Sequence, residues 1–153
     1  MVRAYRFEDF GALVEMYKAF TPKRVAQGLP PTDVPRIAHW LNHLQNNSVA
    51  LLAFDGTKIV AHAVLVPFGK NEVEFTIFVL QDYREDGLGT SLSKLSLDWA
   101  AEMGLTAVVL STELSNYRAI GLFKKIGFTI KSSYGDECEM KLDLAPDSEA
   151  QAA

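Results

Sequence analysis

Val79-Leu80-Gln81-Asp82-Tyr83-Arg84-Glu85-Asp86-Gly87-Leu88-Gly89-Thr90 joins an apolar run to an amphipathic one, and its reading decides the fold. Upstream, residues 72–80 are rich in Val, Phe and Ile and read as a strand. Downstream, Leu88, Leu92, Leu95, Trp99 and Met103 recur every three or four positions. That spacing predicts a helix with this stripe as its core face and Gly104 as its stop. A strand, a turn with two glycines and a helix together read either as an anion nest or as an ordinary tight turn. The glycines let the backbone turn tightly without side chains in the way, and the first helical turn offers N–H groups that lack intrahelical acceptors. A pyrophosphate suits such a nest. The dinucleotide pattern Gly-x-Gly-x-x-Gly fails at Leu92, and Gly-x-x-x-x-Gly-Lys-Ser/Thr is absent, so neither standard nucleotide fingerprint applies.

Working outward toward the N-terminus, residues 2–5 read as a short strand. Leu13, Met16, Tyr17 and Phe20 then recur at helical spacing behind Asp9, a plausible helix start. Residues 21–31 hold three prolines and read as a loop, after which Thr32 or Asp33 caps a second helix carrying Ile37, Trp40, Leu41 and Leu44. Residues 49–54 and 59–68 flank the turn signal Asp55-Gly56 and form a hairpin. Toward the C-terminus come a buried strand at 107–110, a helix at 116–126 through Ala119, Ile120, Phe123 and Ile126, and a strand pair at 128–133 and about 137–142. The tail, 145–153, lacks bulky apolar groups and is expected to be disordered.

The length of 153 residues suits one domain, drawn here over 1–144. Hydrophobic residues at 48% and charged residues at 22% match a globular chain rather than a disordered or coiled-coil one. Fifteen Lys and Arg against nineteen Asp and Glu leave a net charge of −4, opposite to the basic footprint of nucleic-acid binding. The apolar runs 49–54 and 59–68 are far shorter than the roughly 20 residues of a membrane span. The charged N-terminus does not read as a signal peptide, and the single cysteine, Cys138, cannot form an internal disulfide, so the expected location is the reducing cytoplasm.

Residues 79–90 resemble motif A of the GNAT acyltransferases, the superfamily of acetyl-CoA-dependent N-acetyltransferases, whose signature is Gln/Arg-x-x-Gly-x-Gly/Ala. Asn116-Tyr117-Arg118-Ala119-Ile120-Gly121-Leu122-Phe123-Lys124-Lys125-Ile126-Gly127-Phe128 resembles the family's Asn-x-x-Ala helix closing on Gly-Phe. The resemblance implies an α/β (α+β) fold: a mixed, mostly antiparallel sheet of six to seven strands with about four helices. The sheet would be splayed between its fourth and fifth strands, with CoA in the gap. It further implies that backbone groups of Val79 and Leu80 hold the pantetheine arm, the Leu80 region also meeting the oxyanion. Amides of Arg84, Glu85, Asp86, Gly87, Leu88, Gly89 and Thr90 would bind the pyrophosphate, Asn116 would contact the CoA arm, and Phe123 would pack near the thioester. Two departures stand out. Glu85 and Asp86 occupy positions where the family commonly carries Gly and a basic residue, so cationic help would come from Arg84, Arg118 or Lys124. Phe123 stands where the family's general acid is a Tyr, leaving Tyr117 or Tyr134 as substitutes.

Transfer from a thioester to an amine needs a neutral amine and donors aimed at the developing oxyanion. On the strand before the loop, Glu72, Glu74, Thr76 and Phe78 share one face. Glu74, in so apolar a strand, is expected to be partly desolvated and to serve as the base; several protein-acetylating GNAT enzymes place a glutamate ten residues before the Arg84 position. The alternative is a solvated carboxylate. His39 and His43 have one-face spacing but no third ligand, so they read as helix surface or acceptor-pocket residues and no metal is expected. His62 reads as a hydrogen-bonded core histidine, Cys138 has acidic neighbours that disfavour thiolate, and Lys23-Arg24 read as solvated surface. The resemblance makes residues 21–45 one wall of the acceptor pocket. The expected activity is acetyl transfer to a primary amine of a small molecule or protein. The alternative is a catalytically silent acyl-CoA-binding module, and a homodimer is open in either case.

Overall fold

A computed structural model describes residues 1–22 and 29–144. The tail 145–153 and the Lys23-Arg24 pair lie outside the described residues. The elements follow in the order β1 (Val2–Ala4), α1 (Phe10–Ala19), α2 (Val34–Asn46), β2 (Val49–Asp55), β3 (Lys58–Phe68), β4 (Glu72–Val79), α3 (Leu88–Glu102), β5 (Ala107–Glu113), α4 (Tyr117–Ile126), β6 (Thr129–Tyr134) and β7 (Glu137–Asp143). The seven strands form a mostly antiparallel sheet in the order β1-β2-β3-β4-β5-β7-β6, with β4 and β5 the parallel pair. The chain divides into two compact units, Met1–Val64 with Ile77–Leu92 and Leu65–Thr76 with Ser93–Ala153.

In the first unit, β1 pairs antiparallel with β2, and α1 buries Leu13, Met16 and Tyr17 on the face that its 3–4 spacing marks out. Asp9 does not cap α1 with its side chain as its position suggests. Its carboxylate accepts two bonds of 2.8 Å from the Arg3 guanidinium and one of 2.7 Å from the Arg6 amide, which ties β1 to the 3-10 turn ahead of the helix. Asp33 does cap α2, accepting from the Arg36 amide at 3.0 Å. Tyr17, Phe20, Trp40 and Phe78 form an aromatic cluster of tilted and edge-to-face pairs with centroids 5.1–5.8 Å apart. His62 is fully buried against that cluster, with Nδ1 2.7 Å from the Tyr17 hydroxyl and Nε2 2.9 Å from the Gln45 Oε1, as a core histidine should be.

In the second unit, β4 and β5 share a parallel register of three pairs, from Glu72↔Ala107 to Glu74↔Val109, while β5 and β7 pair along seven positions. Phe123 of α4 meets Phe75 at 6.2 Å and Phe128 at 5.5 Å, both edge-on. Gly127 ends α4 at φ 126°, a backbone conformation that side chains rarely adopt.

The core face of α3 differs from the expected stripe. The inward residues are Leu92, Ser93, Ser96, Leu97 and Ala100, whereas Leu95 is 46% exposed, Met103 42% exposed and Trp99 half-buried. Two small serines occupy the buried face, which apolar counting assigns to solvent. The Ser93 Oγ is buried without a hydrogen-bond partner among the described residues, so its small size rather than its polarity suits it to this face.

Candidate active site

The turn after β4 is shaped by its backbone. Glu85 has φ 73° and Gly87 has φ 81°, so two left-handed residues within three positions turn the chain into α3. A Cβ on Gly87 would meet nothing within 4 Å, so that position asks for the dihedral rather than for space. The Ser91 amide closes the first helical turn on the Gly87 carbonyl at 3.0 Å. Leu88, Gly89 and Thr90 therefore stand ahead of the first i−4 bond, with their amides free of that intrahelical role. Glu85 and Asp86 are both exposed. This is the geometry of an anion cradle at a helix N-terminus.

Arg84 is used differently from the expectation. Its Nε donates to the Val79 carbonyl at 2.8 Å, its Nη2 donates to the Thr21 carbonyl, and its guanidinium lies 5.1 Å from the centre of the Phe20 ring. Half-buried there, it has its pKa lowered by desolvation. Its guanidinium is held by hydrogen bonds to the protein's own Val79 and Thr21 carbonyls.

The Leu80 amide is also engaged, donating to the Val60 carbonyl at 2.9 Å. Along an antiparallel strand, hydrogen-bonded and non-hydrogen-bonded positions alternate, so the Val79 N–H and C=O point away from β3. The Arg84 bond to the Val79 carbonyl fits that direction.

In the second unit, Glu74 is exposed rather than partly desolvated, since the strand's apolar density lies at Val73 and Phe75 on its other face. The Phe75 ring meets Phe123, so Glu74 and Phe123 belong to opposite faces of β4. Asn116 caps α4, its Oδ1 accepting from the Ala119 amide at 3.2 Å, and this leaves the Nδ2 as the donor for a ligand. Phe123 is buried in the aromatic stack, and Tyr117 and Tyr134 are 81% and 89% exposed.

The site residues thus fall into two sets: Val79, Leu80 and Arg84 to Thr90 are contiguous in the first unit, and Glu74, Asn116 and Phe123 belong to the second. In the first unit, Pro31, Pro35, Arg36, His39, Trp40 and His43 line an open groove of about 570 Å³. Trp40, among the lining residues, stands edge-on to Phe78. Gln81 was not singled out by the sequence, yet it bonds to both the Thr21 amide and the Ala19 carbonyl. Its place three residues ahead of Arg84 was the available signal. Among the described residues no group of His, Cys, Asp and Glu could hold a metal, and no helix is long and apolar enough to cross a membrane.

The sequence model of the acetyltransferase (GNAT) family matches residues 12–128, which takes in the whole loop, β4, α3, β5 and α4. The chain belongs to the GNAT family of acetyltransferases. An L-methionine sulfoximine/L-methionine sulfone acetyltransferase of Pseudomonas aeruginosa is 34% identical over 61 residues, 40% of this chain and 36% of its own length. The chain thus spans about a third of the length of the curated relatives it matches. In fold it is similar to an acetyltransferase of the GNAT family from Streptococcus pneumoniae, with TM-score 0.77, 20% identity and coverage of 94% of this chain and 99% of that one. It is also similar to yncA of Salmonella typhimurium, solved with its cofactor acetyl-CoA, with TM-score 0.72, 21% identity and coverage of 95% and 94%.

Proposed function

We propose that the chain transfers an acetyl group from acetyl-CoA to a primary amine of a small molecule or protein, the amine attacking the thioester directly. The observation that carries this reading is the loop from Arg84 to Thr90, whose left-handed Glu85 and Gly87 deliver the first amides of α3 as an anion cradle. Those amides would bind the pyrophosphate. The outward Val79 backbone would hold the pantetheine arm and, in place of the Leu80 amide, supply the oxyanion donor. Asn116 would meet the arm through Nδ2, with Phe123 set behind it in the stack with Phe75 and Phe128. Residues 1–144 act as one acyltransferase domain in this reading, working in the cytoplasm, a location the free and buried Cys138 supports.

Glu74 is the proposed base. As an exposed carboxylate it would take the ammonium proton through water, leaving the amine lone pair free to attack. No side-chain hydroxyl is assigned to the CoA thiolate, because Phe123 has none.

The test is thiol release in a screen of primary amines with acetyl-CoA. Wild type should turn over, and Glu74→Gln should lose about 100-fold or more if the carboxylate is the base. Phe123 and the exposure of Glu74 favour one second reading, a module that binds acetyl-CoA without turnover; acetyl-CoA binding with no thiol release across the screen would support it.

A further inference from the structure

Two side chains of the turn after β4 hold three successive residues at the end of α1. Gln81 accepts from the Thr21 amide through Oε1 at 3.1 Å and donates through Nε2 to the Ala19 carbonyl at 2.7 Å. Arg84 donates to the Thr21 carbonyl and covers the Phe20 ring. The Ala19 carbonyl is one of the last in α1 and has no intrahelical donor, so Gln81 also finishes the helix. All these groups lie in the first unit. Beyond Thr21 the chain leads to α2, which carries the groove around Trp40.

The same Arg84 belongs to the proposed phosphate cradle through its backbone. Its amide reaches the Gln81 carbonyl at 3.4 Å, a long and weak bond that a phosphate oxygen would readily replace. Fixing that amide fixes the Cα from which the guanidinium reaches Val79 and Thr21. A lysine could not do the same, because only the guanidinium fork serves two carbonyls at once while staying over a ring.

We propose that Gln81 and Arg84 are positioning residues that latch the Ala19–Thr21 segment to the acetyl-CoA loop, coupling acetyl-CoA affinity to the order of that segment. This rests on the acetyl-CoA reading of the loop. The coupling is reciprocal: whatever acetyl-CoA contributes to latch closure, latch closure contributes to acetyl-CoA affinity.

Calorimetry with acetyl-CoA and residue-level hydrogen exchange at Thr21 test it together. Saturating acetyl-CoA should slow exchange of the wild-type Thr21 amide by about fivefold or more, and Gln81→Ala should abolish that response while keeping protection at Ser91. The acetyl-CoA Kd of Gln81→Ala should rise by no more than the lost protection factor. Arg84→Lys, which keeps the charge, should also lose the response, and it stands in if Gln81→Ala does not fold. A wild type that binds acetyl-CoA with no change at Thr21 overturns the latch, as does a folded variant that responds like wild type. A wild type that shows no heat with acetyl-CoA overturns the latch by removing the reading beneath it, and calorimetry alone separates that failure from the others.

Discussion

The Tyr17 hydroxyl, the His62 imidazole and the Gln45 amide form a buried chain across α1, β3 and α2. An Nε2–H tautomer satisfies both bonds, donating to Gln45 and accepting from Tyr17. Burial lowers the His62 pKa from 6.5 to about 3, so between those values the unfolded chain binds a proton that the folded chain does not. Stability should therefore fall as pH drops through that window, approaching about 1.4 kcal/mol per pH unit from this residue. Urea unfolding across pH 7 to 4 checks it, and His62→Gln should flatten the slope. Asp9 acts lower. The Arg3 hydrogen bond holds its pKa below the usual carboxylate value, so its contribution is present above 3.8 and is lost as pH falls through the lowered folded value. At Glu85 the strain is in the backbone: φ 73° is costly for a residue with a Cβ. Glu85→Gly should gain about 0.5–1 kcal/mol in chemical unfolding, the relief exceeding the added chain entropy of glycine. It should also tighten acetyl-CoA binding more at low salt than at high salt, because a carboxylate leaves the proposed phosphate site.

Caps separate structural from ligand roles among the helices. Asp33 and Asn116 each accept from a backbone amide three residues on, at 3.0 and 3.2 Å. Asp33→Ala and Asn116→Ala should each cost about 1 kcal/mol in thermal or chemical unfolding. Only Asn116→Ala should also weaken acetyl-CoA binding in calorimetry, and equal binding by both variants would remove Asn116 from the site. The helices also show where sequence patterns stop being informative. The spacing of Leu13, Met16 and Tyr17 marks the buried face of α1 correctly, because no small polar residue competes for that face. In α3 the apolar stripe is displaced because Ser93 and Ser96 lie inside, and close packing against a small side chain leaves no trace in hydrophobic periodicity. Loop backbone was legible through its glycines, and Glu85 in a left-handed conformation was not, since nothing local asks a glutamate to adopt it.

Element order, the turn at residues 81–87 and family membership were all legible in the residues, because each rests on local pattern and motif. What a side chain does after the chain has folded was less so. Arg84 read as one of three candidate cations, with Arg118 and Lys124, and no local pattern announced its side-chain bonds to Val79 and Thr21; the exposure of Glu74 depends on the opposite face of β4 taking the aromatic contact. A net charge of −4 gives weak steering toward cationic amines, so acceptor association should slow modestly with added salt. The central claim concerns the cradle at residues 84–90, and titration calorimetry with acetyl-CoA tests it most directly. Saturable binding of one acetyl-CoA per chain, weakened by Asn116→Ala, is the expected result. No heat at millimolar acetyl-CoA with a folded chain would contradict it, and would set aside both the transferase and the silent binding module.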